Sequence, residues 1–172
     1  MKHYIPLLLA CLLSTSLAAQ STQISNEKTK DKSSMNISIR YFSKFGHSSQ
    51  MANVVADVTG AKPETVSVPL PGHTDLLFLG AGVFLGKVDK SVTAFIDSLD
   101  PAQVDCVVLF GSSAIIDSPV PQMRKRLEQR GIKVAEQSFS CKGAMGPVHA
   151  GHPNEEDLAN LKQFVQQLIA RP

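Results

Sequence analysis

The sequence predicts one α/β domain built on a parallel sheet. Three observations lead there. Short β-rich or apolar runs alternate along the chain with segments whose apolar residues recur at helical spacing. The run Leu76 to Leu79 holds no polar residue, as expected of a strand covered on both faces. The length of 172 residues, with 43% hydrophobic and 19% charged, suits a single hydrophobic core and is wrong for a disordered chain.

The elements follow in order. Asn36 to Phe42 reads as a first strand, bounded by Ser43 and Gly46. Met51, Val54, Val55 and Val58 share one face of a helix over Gln50 to Asp57, with Ser48 or Ser49 as its cap and Gly60 as its stop. Thr65 to Val68 is a second strand and Leu76 to Leu79 a third. Only Pro69 to Thr74 join these two, too few residues for a helix, so a loop crosses the sheet. Asp89 caps a helix carrying Val92, Phe95, Ile96 and Leu99, which Pro101 stops. Val104 to Phe110 is the fourth strand. Ser118-Pro119 opens a helix with Val120, Met123 and Leu127, closed by Gly131, and Ile132 to Phe139 is the fifth strand. Asn154 caps a last helix with Glu155, Glu156 and Asp157 in its first turn and Leu158, Leu161, Val165 and Leu168 as its buried stripe. Cys106 falls early in one strand and Cys141 at the far end of another, so no disulfide joins them.

Ahead of this domain, at residues 36–170, stand two segments of different character. Lys2, the apolar run Ile5 to Leu13 and the small residues Ser14 to Ala19 form the pattern of a secretory signal over residues 1–19, which implies export, to the periplasm in a bacterium. Leu8-Leu9-Ala10-Cys11 offers a second reading, a lipoprotein box whose lipidated Cys11 is the one route to a membrane. Residues 20–35 are polar and aperiodic and read as a disordered spacer. No apolar run reaches the ~18 residues of a membrane span. A net charge of +2 lacks the basic excess that nucleic-acid binding requires.

Ligands of parallel sheets bind beyond the carboxyl ends of the strands, where strand order reverses. Three loops meet there: Ser43 to Ser48, Ala81 to Lys87, and Gly111 to Ser118. The first combines hydroxyls, a glycine and a helix start, which makes an anion site from free N–H groups and the helix dipole. His47 in that loop can approach the anion as a cation if its pKa rises. Gly80 to Lys87 misses both nucleotide-binding spacings: its glycines follow neither G-x-G-x-x-G nor the P-loop pattern. No G-x-S-x-G elbow occurs. His149 and His152, near Cys141 and Asp157, form only a weak metal pattern. Arg124, Lys125, Arg126 and Arg130 give the fourth-strand helix a basic face, either solvated or docking to an acidic partner or membrane surface.

Taken together these loops resemble a known family. Tyr41-Phe42-Ser43-Lys44-Phe45-Gly46-His47-Ser48 is similar to the phosphate loop of flavodoxins. Asp75 to Gly80 followed by Ala81-Gly82-Val83-Phe84-Leu85-Gly86 resembles that family's third strand and first flavin-flanking loop, and Val107 to Ser113 its fourth strand and second flavin loop. Cys141-Lys142-Gly143 and His152 to Leu158 resemble the tail of short members. The resemblance implies a three-layer flavodoxin-like fold with strand order 2-1-3-4-5, non-covalent FMN, and electron transfer with a redox partner protein or small electron acceptor, as a carrier or a small quinone-type reductase. It assigns Ser43 and Ser48 as hydroxyl ligands of the phosphate, Lys44, Phe45, Gly46 and His47 as the loop that supplies backbone N–H groups, and Phe84 as a stacking ring beside Ala81, Gly82 and Val83. Gly111, Ser112 and Ser113 line the opposite edge. Phe45 stands where the family has a threonine, and Ala114, Ile115 and Ile116 where it has a second aromatic. The alternative is an exported binding module on the same scaffold without the flavin.

Overall fold

The computed structural model describes residues 35–115 and 118–170. The proposed signal over residues 1–19, Cys11, nearly all of the 20–35 spacer and Ile116 lie outside the described residues.

Strand β1 is Ile37–Tyr41, and helix α1, His47–Thr59, follows it. Next come β2, Pro63–Thr65, and the long β3, Thr74–Phe84. β4, Lys87–Val88, precedes α2, Lys90–Ser98, and β5, Val104–Ser113, precedes α3, Val120–Gln129. β6, Val134–Lys142, and α4, Glu155–Ile169, complete the chain. The strand order is β2-β1-β3-β5-β6, all parallel, with β4 added antiparallel to the end of β3. In order of the parallel strands this is 2-1-3-4-5, the flavodoxin-like arrangement, with one short extra strand.

The layers follow from the side-chain alternation of the central strands. Leu77, Leu79 and Ala81 of β3 point to one face, where Val92, Phe95 and Ile96 of α2 and Met123 and Leu127 of α3 cover them. Phe78 and the β5 residues Val108 and Phe110 point to the other, under Met51 and Val55 of α1 and Leu161 and Val165 of α4. Gly80 makes room for the second layer: a Cβ there would stand 2.2 Å from the Phe110 ring.

Five boundaries depart from the sequence reading. The second strand is Pro63–Thr65, not Thr65 to Val68; Val66 to Val68 turn away, with Val68 N donating to Thr65 O at 3.0 Å. Arg40 explains the short link that follows. Its side chain is buried, and its guanidinium donates to the carbonyls of Val68 (2.8 Å), Pro69 (2.6 Å) and Ile39 (2.9 Å) while pairing with Glu64 at 3.2 Å. One cation thus satisfies the carbonyls of a loop too short to form its own ladder. Residues 81–84 are strand rather than loop, closing into a tight hairpin through Leu85 (φ 50°) and Gly86 (φ 76°). β5 continues to Ser113 and β6 spans Val134–Lys142, each reaching further along the sheet than read. Ser48 and Ser49 lie inside α1, whose cap is Gly46.

Cys106 and Cys141 sit at opposite ends of the sheet. Cys141 pairs with Ser112, six residues beyond Cys106, a separation of roughly 20 Å at ~3.3 Å per residue.

Candidate functional site

The carboxyl ends of β1, β3, β5 and β6 open on one cavity of about 360 Å³. This is within the size range of small-molecule and cofactor sites, and its lining is largely apolar. Of the residues assigned from sequence, Ser43, Lys44, Phe45, His47, Ser48, Gly82, Val83, Phe84, Ser112 and Ser113 line it. Gly46 does not line it but shapes the floor, and Ala81 and Gly111 are paired strand residues behind the wall.

The floor is the β1–α1 turn. Gly46 adopts φ +89°, a left-handed conformation that costs a residue with a Cβ ~1–2 kcal/mol. From there α1 starts without a side-chain cap and without an acidic residue in its first turn. Gln50 N is the first amide to be satisfied, by Gly46 O at 3.0 Å. The amides before it point out of the helix end, where the dipole favours an anion. Among the other helices, Asp89 caps α2 and Asn154 and Asp157 form a capping box on α4, whereas α3, like α1, starts without a side-chain cap on its N-cap residue, Pro119. Above the uncapped turn, Ser43 Oγ is buried and has no hydrogen-bond partner, a situation that costs ~1–3 kcal/mol unless a ligand supplies one. The Ser48 side chain is buried in the first turn of α1, and its Oγ stands 3.8 Å from the position a Gly82 Cβ would take.

Phe84 forms one wall at the end of β3. The Phe45 ring stands 5.9 Å from it at 53°, and the Lys44 ammonium lies 3.4 Å from its centroid. Phe45 therefore packs sideways against Phe84, at the rim of the turn. The opposite wall holds Ser112, Ser113 and Ala114, with buried Ser112 against Gly143: a Cβ on Gly143 would meet Ser112 Oγ at 2.9 Å and His47 Nδ1 at 3.4 Å. Behind it, a Cβ on Gly111 would stand 2.2 Å from Ala81 O.

Electrostatics qualify the titratable groups of the site. Burial lowers the His47 pKa below its ordinary value in the chain without a ligand, so any cationic role there depends on the anion itself raising it. Cys141 is equally unsuited to nucleophilic chemistry, since burial, with Asp157 nearby, pushes its thiol up to about 12. His152 Nδ1 is engaged by Asp157 at 2.6 Å. The basic face of α3 is tied into the scaffold: Arg124 donates to Ala135 O at 2.8 Å, Arg126 to Asp97 at 2.7 Å and Arg130 to Leu99 O at 3.1 Å.

Sequence reasoning missed two parts of the wall. Gly143, Ala144 and Met145 form the far side, and Val88, Asp89 and Lys90 extend the predicted second loop past Lys87 to the entrance beside Phe84. The glycine directly after the fifth strand was the available signal for the first; the two-residue β4 left none.

The fold has many solved counterparts. A flavodoxin from the domain Archaea superposes with a TM-score of 0.65 at 16% identity, over 78% of this chain and 96% of that one. Oxidised Flavodoxin 2 from Bacillus cereus gives 0.58 at 18%, over 76% and 94%. An uncharacterized protein of Methanocaldococcus jannaschii is 24% identical over 133 residues, 70% of this chain and 88% of its own. No family model matches the sequence. These similarities establish a flavodoxin-like α/β fold whose neighbours include flavodoxins and other flavoproteins.

Proposed function

We propose that the chain binds FMN without a covalent bond and serves as an electron carrier. The observation that carries this reading is the orphaned Ser43 Oγ above the uncapped start of α1. A buried hydroxyl with nothing to bond, over amides with nothing to bond, is the donor set a phosphate dianion completes. In this reading Ser43 and Ser48 hold the phosphate through their hydroxyls, and the amides of His47, Ser48 and Ser49 hold it through N–H. Phe84 stacks against the ring and Ser112 to Ala114 border its other edge. When bound, the flavin supplies the redox chemistry; the chain binds it, orients it and keeps water from it.

The carrier is favoured over a reductase because the cavity presents no poised acid or base. Its histidine, His47, has no hydrogen-bonded partner among the described residues to orient it, and its one carboxylate, Asp89, is committed to capping α2. The same reading takes the carrier as exported, on the strength of the charged, apolar and small-residue pattern of residues 2–19. Titrating the purified chain with FMN tests the proposal. Saturable binding that quenches flavin fluorescence supports it; unchanged flavin spectra leave the alternative of a flavin-free binding module.

A further inference from the structure

Of the seven large hydrophobic residues exposed among the described residues, five lie in or next to the cavity mouth. Phe45 is 58% exposed, Phe84 39%, Leu85 78% and Ile115 70%. Val148 joins them through its bridge to Met145, a residue of the cavity wall. Side chains of this size left in water together mark a contact surface. The charge around them is positive on balance, three lysines against one aspartate. Lys44, Lys87 and Lys90 flank the opening, and none is ion-paired among the described residues. The single carboxylate there, Asp89, accepts from Ser91 N at 2.8 Å and Ser91 Oγ at 2.7 Å, which hold it ionised near Lys44 and Lys90 and leave the rim with a positive excess. The arginines of α3, the basic patch most visible in the sequence, are engaged by backbone carbonyls and Asp97.

We propose that this mouth docks an acidic protein surface, an apolar centre ringed by Asp and Glu. The lysines meet the carboxylates at the rim, while Phe84, Leu85 and Ile115 are covered by the centre. Opposite charge at the rim steers encounter and fixes orientation, and the apolar centre excludes water where the partner must come close. This deepens the flavin reading and rests on it, because an exposed ring edge at the mouth is what a redox partner must reach.

The test is residue-resolved and needs no flavin. The 15N-labelled full chain is titrated with poly-L-glutamate at low ionic strength. The expected amide shifts concentrate at Lys44, Phe45, Phe84 to Lys90, Ala114 and Ile115. Binding weakens ~10-fold or more between ~20 and ~200 mM salt, as paired surface charges are screened. The K87E/K90E variant, checked for folding by circular dichroism, loses the interaction. Leu85→Ser weakens a glutamate-rich peptide that carries phenylalanine and leaves poly-L-glutamate unchanged. Shifts centred on Arg124 to Arg126, spread evenly, or absent would overturn the docking proposal. A chain that maps poly-L-glutamate to the mouth yet leaves FMN spectra unchanged overturns the flavin reading alone.

Discussion

The ammonium of Lys44 sits 3.4 Å from the centroid of the Phe84 ring, so the cavity's aromatic face already carries a cation of the chain itself. Such a contact contributes ~0.5–2 kcal/mol, and a flat ligand stacking on that face must displace it. Riboflavin, which has no phosphate to gain from the helix end, isolates this competition. Lys44→Met is expected to tighten riboflavin binding by ~2- to 10-fold. Phe84→Ala should weaken riboflavin and FMN alike, by ~3- to 10-fold. Fluorescence titration measures both; riboflavin affinity indifferent to Lys44 and Phe84 places the ring elsewhere.

Ser43 makes opposite predictions with and without ligand. Its buried hydroxyl has no partner, so Ser43→Ala removes an unsatisfied group and leaves the unliganded chain as stable or up to ~1 kcal/mol more stable. The same change removes a charge-assisted bond to phosphate and weakens FMN by ~1–2 kcal/mol, roughly 5- to 30-fold. Denaturant unfolding and FMN titration of one variant give both numbers. Destabilisation without loss of affinity contradicts the assignment.

Two glycines separate backbone strain from steric conflict. At Gly46 an added Cβ meets nothing within 4 Å, and only the φ of +89° resists it, so Gly46→Ala should cost ~1–2 kcal/mol. At Gly111 the Cβ would lie 2.2 Å from Ala81 O, in the middle of the sheet, and relief requires the β3–β5 ladder to part. Gly111→Ala should therefore cost clearly more, ~3 kcal/mol or above. Equal costs in denaturant unfolding would contradict this.

What the sequence made legible was periodicity and punctuation. The stripes of Val92, Phe95 and Ile96, and of Leu161 and Val165, are buried as their spacing requires, because helix faces are set by local repeat. Thr65 to Val68 failed because propensity was read where a buried cation decides: Arg40 draws the carbonyls of Val68 and Pro69 out of any strand. The strand ends failed for a related reason. Glycines at 80, 82 and 111 read as turn signals, yet Gly80 and Gly111 mark close approach by Phe110 and by the Ala81 backbone within the sheet. The first-loop residues were legible as an anion site because hydroxyl, glycine and helix start stand in contiguous sequence. Met145 was not, since only tertiary folding brings it to the wall.

Burial of His47 sets a pH signature. The unfolded chain takes up a proton near the ordinary histidine pKa of ~6.5, while the folded chain takes it up only at lower pH. Between those two values the unfolded state binds more protons, so stability falls as pH drops below ~6.5 and the slope ends below the native pKa. The lowered carboxyls of Asp89 and Asp97 act in a lower window, near and below ~4. His47→Gln should flatten the upper window and leave the lower one, as read by urea midpoints across pH. An unchanged upper slope would contradict the burial argument.

The central claim is that the turn from β1 into α1 grips a phosphate dianion. The most direct measurement compares FMN with riboflavin while following the backbone amides of Gly46, His47, Ser48 and Ser49 by 15N NMR. The account predicts tighter binding of FMN, ~10-fold or more, with strong downfield shifts of these amides that riboflavin does not produce. Equal affinity for the two ligands, with the four amides unmoved, would contradict it.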